Sequence, residues 1–234
     1  MFKKLSVLIP VYNEKKTIKE CVESVLNADI GNLDLEIIIS DNNSYDGTKE
    51  ILKSLNDERI KILFRETNNG KGANIKNALN EANGDLILFQ DGDLEYSPND
   101  YKNLLEPFYI YNADVVYGSR LTRAKATNIV GFPNYIANIL VTFLTNLLFN
   151  KIFTDIATGY KVFKKDIIKN LEITSDGFEI EPEITSKISK NKNIKIFEVP
   201  ITINSRNYDE GKKVKVISEG DEQGSFFTVE EIIN

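Results

Sequence analysis

The chain has 234 residues, 41% of them hydrophobic and 27% charged, with a formal net charge of −6. This is globular composition, enough for one large domain, without the basic bias of a nucleic-acid binder. The absence of histidine and the single cysteine exclude Ser-His-Asp and Cys-His chemistry, imidazole-bound zinc and an intramolecular disulfide, so any metal must be held by oxygen ligands, which suits Mg²⁺, Mn²⁺ or Ca²⁺.

Residues 5–11 form a nearly continuous apolar run, as a strand buried on both faces does. The run is too short and too soon interrupted for a secretory signal. The longest apolar stretch, residues 135–149, is broken by Asn138, Thr142, Thr145 and Asn146 and is too short to span a bilayer. A cytoplasmic protein is expected, with peripheral contact to a membrane surface left open. Asn13 is a candidate N-cap, and Ile18, Cys21, Val22, Val25 and Leu26 then fall in the stripe of an amphipathic helix. Cys21 in that stripe reads as a buried thiol.

Residues 35–39 form a second strand ending in the polar turn 40–44, and Asp46-Gly47-Thr48 opens a second helix. Residues 60–64 form a third strand. The loop 67–72 reads as flexible and precedes a helix bearing Ile75, Ala78, Leu79 and Ala82, stopped by Gly84 at its C′ position. The fourth strand, residues 85–90, delivers Asp91-Gly92-Asp93-Leu94-Glu95. In extended backbone these three carboxylates would point the same way, at a like-charge cost that a cation offsets. The competing reading is a solvated Asp-Gly turn.

A helix is expected from 98 to about 111 and a strand over 114–120, followed by a loop over 121–132 with Arg123 and Lys125. Pro133 then opens a helix whose Ile136, Leu140, Phe143, Leu144, Leu147 and Leu148 form a wide apolar face, read as core. Residues 155–161 read as a polar turn. Glu179, Glu181 and Glu183 lie near a helix start, where acids are favoured for structural reasons. Residues 194–203 form the last strand, and 205–213 is either a solvated loop or a lid of cations that pairs with phosphate.

Strand and helix alternating in this way imply an α/β fold, with a Rossmann-like, mostly parallel sheet covered by helices on both faces. Ligands bind such sheets beyond the carboxyl ends of the strands, where Glu14, Asp41 and the acidic triplet stand. Residues 1–215 are expected to form one domain, with a nucleotide-binding half (1–95) and an acceptor half (96–215), followed by an acidic tail (216–234).

Pro10-Val-Tyr-Asn-Glu14, Asp41 with Ser44-x-Asp46-Gly47-Thr48, Asn69-Gly-Lys-Gly72 and Asp91-Gly-Asp93 occur in order. Together they resemble the inverting family 2 glycosyltransferases of the GT-A fold. Gly118-Ser-Arg120, Asn138, Thr154-Asp155, Thr158-Gly-Tyr-Lys-Val-Phe163, Phe178, Glu181-Pro-Glu-Ile184 and Glu210-Gly-Lys-Lys213 are similar to the dolichyl- or polyprenyl-phosphate mannosyltransferase branch. The usual Asp-Asp pair after strand two is Asp41-Asn42, Ile139 stands where a basic residue often follows the Asn, and the tail from Val216 departs from the pattern.

The resemblance implies a nucleotide diphosphate sugar donor, GDP-mannose or UDP-glucose. Pro10, Tyr12, Glu14 and Asp41 would hold its base and ribose, Lys71 would approach the base or the diphosphate, and Asp91 would meet the ribose or a metal. Asp93 and Glu95 would ligate Mg²⁺ or Mn²⁺. A lipid-phosphate acceptor, already ionised, would need cations, for which Arg120, Arg206 and Lys212 are candidates. A sugar or protein hydroxyl would instead need a general base, and Asp155 is the candidate. A degenerate transferase kept as a nucleotide-sugar-binding module is the remaining alternative. A sugar-phosphate nucleotidyltransferase is rejected for want of a Gly-rich basic loop after strand one, and an NAD enzyme for want of G-x-G-x-x-G.

Overall fold

The computed structural model describes residues 2–122 and 132–204. Among these residues seven strands and seven α-helices follow one another: β1 (Lys4–Val11), α1 (Ile18–Leu26), β2 (Asp34–Asp41), α2 (Thr48–Ser54), β3 (Ile60–Phe64), α3 (Lys71–Glu81), β4 (Leu86–Phe89), α4 (Tyr101–Ile110), β5 (Val115–Ser119), α5 (Phe132–Phe149), β6 (Lys161–Lys164), α6 (Lys165–Lys169), α7 (Ile180–Lys190) and β7 (Ile196–Pro200). They build one sheet in the order β3-β2-β1-β4-β6-β5-β7. Only β6 runs against its neighbours, pairing antiparallel with both β4 and β5. The expected α/β class, a mostly parallel sheet with helices on both faces, is what the chain adopts.

Successive side chains of a strand face opposite ways, and β1 separates two cores accordingly. Leu5, Val7, Ile9 and Val11 pack with α1 and α4, while Leu8 packs with α3 and α7. Pro10, which has no N–H to donate, lies past the last β1–β4 pair, Leu8 with Phe89. β6 and α6 were not expected from the sequence: Lys161-Val-Phe-Lys164 is short and begins, at the last residue of what reads as a polar turn, with a lysine that is fully buried.

Several local expectations change. Asn13 is not an N-cap. It adopts a left-handed conformation (φ 51°) and its Oδ1 accepts the Tyr45 N–H, so it ties the end of β1 to the turn after β2. Gly84 is not a left-handed helix stop. It is required because a Cβ there would lie 2.5 Å from the Ser6 nitrogen. The loop before α3 is not loose. A Cβ on Gly70 would sit 2.4 Å from the Asp176 carbonyl oxygen and one on Gly72 2.5 Å from that of Ser175, while the Gly72 and Ala73 N–H groups donate to Gly177 and Asp176 carbonyls.

α5 reverses its expected orientation. Thr142 and Thr145 are buried, whereas Ile136, Leu140, Phe143, Leu147 and Leu148 are exposed, Leu147 by 69%. Hydrogen bonds explain the choice. Asn146 bonds both the N–H and the carbonyl of Phe153, Thr142 accepts from the Ile156 N–H, and Asn138 donates to Asp155. Turning this polar stripe outward would leave those buried partners unsatisfied. Among the described residues no helix is long and apolar enough to cross a membrane.

Candidate active site

The carboxyl ends of β1, β2, β4 and β5 meet on one rim. Asp41 ends β2 and is fully buried. Its Oδ2 accepts the Ser44 N–H at 3.1 Å, and its Oδ1 has no partner. Asn42, next to it, donates to the Gly70 carbonyl and to Asn68, and accepts from the Asn69 N–H. A carboxylate could not make the two donations, so the Asn in place of the usual Asp fixes the loop that leads to Lys71. Tyr12 packs edge-on against Tyr45 with ring centroids 6.2 Å apart. Glu14 accepts from the Thr17 hydroxyl, which also donates to the Gly92 carbonyl, so the end of β1 is joined to the acidic turn.

The acidic segment is a turn rather than extended backbone. Leu94 is left-handed (φ 63°) and the Glu95 N–H folds back onto Asp93 Oδ1 at 3.1 Å. The alternation that would have aimed all three carboxylates at one point is thereby broken, and among the described residues no group of three or more Cys, Asp or Glu is arranged to hold a metal ion. Asp91 is instead paired with Lys71, Nζ to Oδ1 2.8 Å. Glu14, Asp91 and Asp93 still crowd the same ground. Burial pushes the Cys21 thiol upward, and these carboxylates push it further.

Across the rim, β5 delivers Arg120. Its Nε and Nη2 each lie 2.7 Å from Asp155, one on each carboxylate oxygen. Its backbone N–H and Asn138 Nδ2 complete four donations to that group. Asp155 is fully buried. Burial works against its charge, but Arg120 and these bonds outweigh it and hold the carboxyl below its ordinary range. Asp155 is thus a clamp for Arg120, and the general-base role conditionally expected of it is at odds with its saturated oxygens. Arg120 Nη2 also donates to the Ala157 carbonyl, and Nη1 makes a long 3.4 Å bond to the Tyr96 hydroxyl.

Tyr96, absent from the sequence reading, joins the two sides. Its hydroxyl accepts the Gly159 N–H at 2.9 Å, and a Cβ on Gly159 would lie 2.4 Å from Asp91 Oδ2. Burial, Asp91 and Asp155 together push the Tyr96 hydroxyl up to about 12, against the pull of Arg120. Only its position after the acidic turn could have marked it. The glutamates at the start of α7 divide. Glu179 accepts the Gly177 N–H, and Glu183 accepts from Thr174, Ser175 and Lys187, which is the structural role considered for them. Glu181 pairs with Lys71 and Lys161. Arg206, Lys212 and the tail 216–234, with Arg123 and Lys125, lie outside the described residues.

Residues 6–172 match the family model described as Glycosyl transferase family 2. The chain belongs to that family. A relative, the dolichol-phosphate mannosyltransferase of Pyrococcus furiosus, is 29% identical over 220 residues, covering 92% of this chain and 61% of its own length. The UDP-N-acetylglucosamine–dolichyl-phosphate N-acetylglucosaminyltransferase of Methanococcus voltae is 28% identical over 218 residues, covering 85% of each chain. The chain therefore spans about three-fifths of the first relative and most of the second. Glucosyl-3-phosphoglycerate synthase from Mycobacterium tuberculosis, solved with Mn²⁺, uridine diphosphate and phosphoglyceric acid, superposes with a TM-score of 0.68 at 20% identity, covering 89% of this chain and 73% of that one. That likeness establishes the GT-A fold of this family 2 chain.

Proposed function

We propose that this family 2 chain transfers a hexose from a nucleotide diphosphate sugar, GDP-mannose or UDP-glucose, to a polyprenyl or dolichyl phosphate, with inversion at the sugar carbon. The observation that carries the reading is Asp155. The carboxylate best placed to deprotonate a hydroxyl acceptor has its oxygens taken up by Arg120 and Asn138. A lipid phosphate is ionised at neutral pH and brings no proton to remove, so a site with a clamped arginine and no base at that position suits it. The two relatives named above act, by their names, on dolichyl phosphate, which supports the same class of acceptor.

In this reading residues 1–95 hold the donor and residues 96–215 the acceptor. Asp41 Oδ1 takes an N–H or hydroxyl of the nucleoside, Tyr12 and Pro10 flank it, and Glu14 borders the ribose. Asp93 and Glu95 hold Mg²⁺ or Mn²⁺. The donor set fits: both are hard oxygen ligands, and such ions are commonly bound by one or two carboxylates plus substrate phosphates rather than by an all-protein cage. When bound, the ion supplies charge neutralisation to the departing nucleoside diphosphate. Arg120, held by Asp155, presents its Nη1 edge to the acceptor phosphate, and Arg206 and Lys212 add positive charge. The outward apolar face of α5, which donates Asn138 to the same clamp, supports contact with a membrane surface carrying the lipid.

The test is a transfer assay read by mass spectrometry. GDP-mannose, UDP-glucose and UDP-N-acetylglucosamine are each offered with polyprenyl phosphate or with the matching polyprenol. Product is expected with the phosphate alone. Equal transfer to the alcohol would overturn the acceptor assignment, and no transfer with bound nucleotide would favour the binding-module alternative.

A further inference from the structure

Four charged groups run in alternation from the acidic turn into the protein. Lys71 Nζ lies 2.8 Å from Asp91 Oδ1 and 3.2 Å from Glu181 Oε1. The other Glu181 oxygen accepts from Lys161, which also donates to the Thr158 carbonyl and faces the Tyr117 ring at 5.1 Å. Lys161 is fully buried and Glu181 nearly so. Burying the inner pair, Lys161 and Glu181, is costly, and apolar residues of similar volume would serve stability at least as well. A structural role alone therefore does not account for it.

Its outer end does. Asp91 belongs to a turn that carries three carboxylates, and without a cation those charges repel. Lys71 supplies that cation. It is placed by backbone fit: Gly70 and Gly72 press α3 against residues 175–177, and Asn42 holds the loop before it. Burial opposes the Lys71 charge, but Asp91 and Glu181 outweigh it and raise its pKa, so the ammonium is kept.

We infer that Lys71 is a resident cation with two seats, Asp91 and Glu181, and that Glu181, backed by Lys161, is a positioning residue that retains Lys71 when a divalent ion loads the acidic turn. The inference rests on the metal reading proposed above. An ion held by Asp93 and Glu95 would bring positive charge to the turn, repel the Lys71 ammonium and loosen its hold on Asp91. With Glu181 in place the ammonium keeps an anionic partner as it yields Asp91. Without Glu181 it has Asp91 alone and resists displacement.

The experiment is Mn²⁺ titration by calorimetry on the full chain, with and without uridine diphosphate, with thermal melts to check folding. Lys71→Met is expected to bind Mn²⁺ severalfold more tightly. Glu181→Gln is expected to bind it about tenfold more weakly, the size of an ordinary coupling between sites. Lys71→Met/Glu181→Gln should match Lys71→Met within about twofold, because the effect of Glu181 passes through Lys71. If Glu181→Gln does not fold, Glu181→Gln/Lys161→Met removes the buried pair together and should weaken Mn²⁺ in the same way. Equal weakening by Glu181→Gln in the Lys71→Met background, or looser Mn²⁺ in Lys71→Met, overturns this inference alone. No Mn²⁺ binding by the wild type under either condition overturns the metal reading and this inference with it.

Discussion

Asp41 is buried at the end of β2, with one oxygen on the Ser44 N–H and the other on nothing. An unpaired buried acceptor costs about 1–3 kcal/mol, and a ligand that brings a donor to it recovers that cost on binding. Asp41→Asn tests the assignment cleanly. The amide oxygen can still accept from Ser44, but the unpaired second atom becomes a donor. Nucleotide diphosphate affinity is expected to fall about tenfold or more, while the melting temperature holds or rises. Titration with uridine and guanosine diphosphates checks this, and unchanged affinity for both would remove Asp41 from the donor site. Arg120 and Asp155 make a contrasting residue-scale case. Both were legible as chemistry-bearing positions, but their relation to each other was not, since a salt bridge across 35 residues leaves no spacing signal.

At the scale of elements, α5 separates what periodicity can convey from what it cannot. Its heptad-like apolar positions identify a helix with a wide apolar face, and the helix is there. Periodicity does not say which way that face turns. The direction was decided by Asn138, Thr142 and Asn146, whose partners lie in residues 153–156. Two of those partners, Asp155 and Ile156, are in a segment that reads only as a polar turn, and Phe153 lies just before it. The result is an uncharged helix with Phe143 exposed by 59% and Leu147 by 69%. Moving such side chains from water into lipid contributes about 1–2 kcal/mol each. The chain is therefore expected to sediment with neutral phosphatidylcholine vesicles. Phe143→Asp/Leu147→Asp should stay in the supernatant with its melting temperature unchanged, because neither side chain is in the core. Retention of the double variant on vesicles would exclude this face as the contact.

For the molecule as a whole, the alternation of strands and helices made the sheet and its mainly parallel sense readable, since buried parallel strands are short apolar runs and helices are amphipathic. The antiparallel β6 was not readable, because its first residue is a lysine neutralised by Glu181 twenty residues away. The same buried network means that the two sides of the rim are coupled through Tyr96, Gly159 and Lys71 rather than sitting on independent lobes. A ligand bound at the rim should accordingly stabilise the sheet as one unit. Binding to the folded state alone adds RT ln(1 + [L]/Kd), about 2.7 kcal/mol at a hundredfold excess over Kd. With Mn²⁺ present, saturating uridine or guanosine diphosphate should raise the single melting transition by about 2–4 °C per kcal/mol for a chain of this length. Chelation with EDTA should abolish the rise, because the diphosphate would then meet Asp93 and Glu95 without a divalent ion between them. A rise that survives EDTA would mean that the nucleotide is held without the metal, leaving Lys71 as the positive charge beside Asp91.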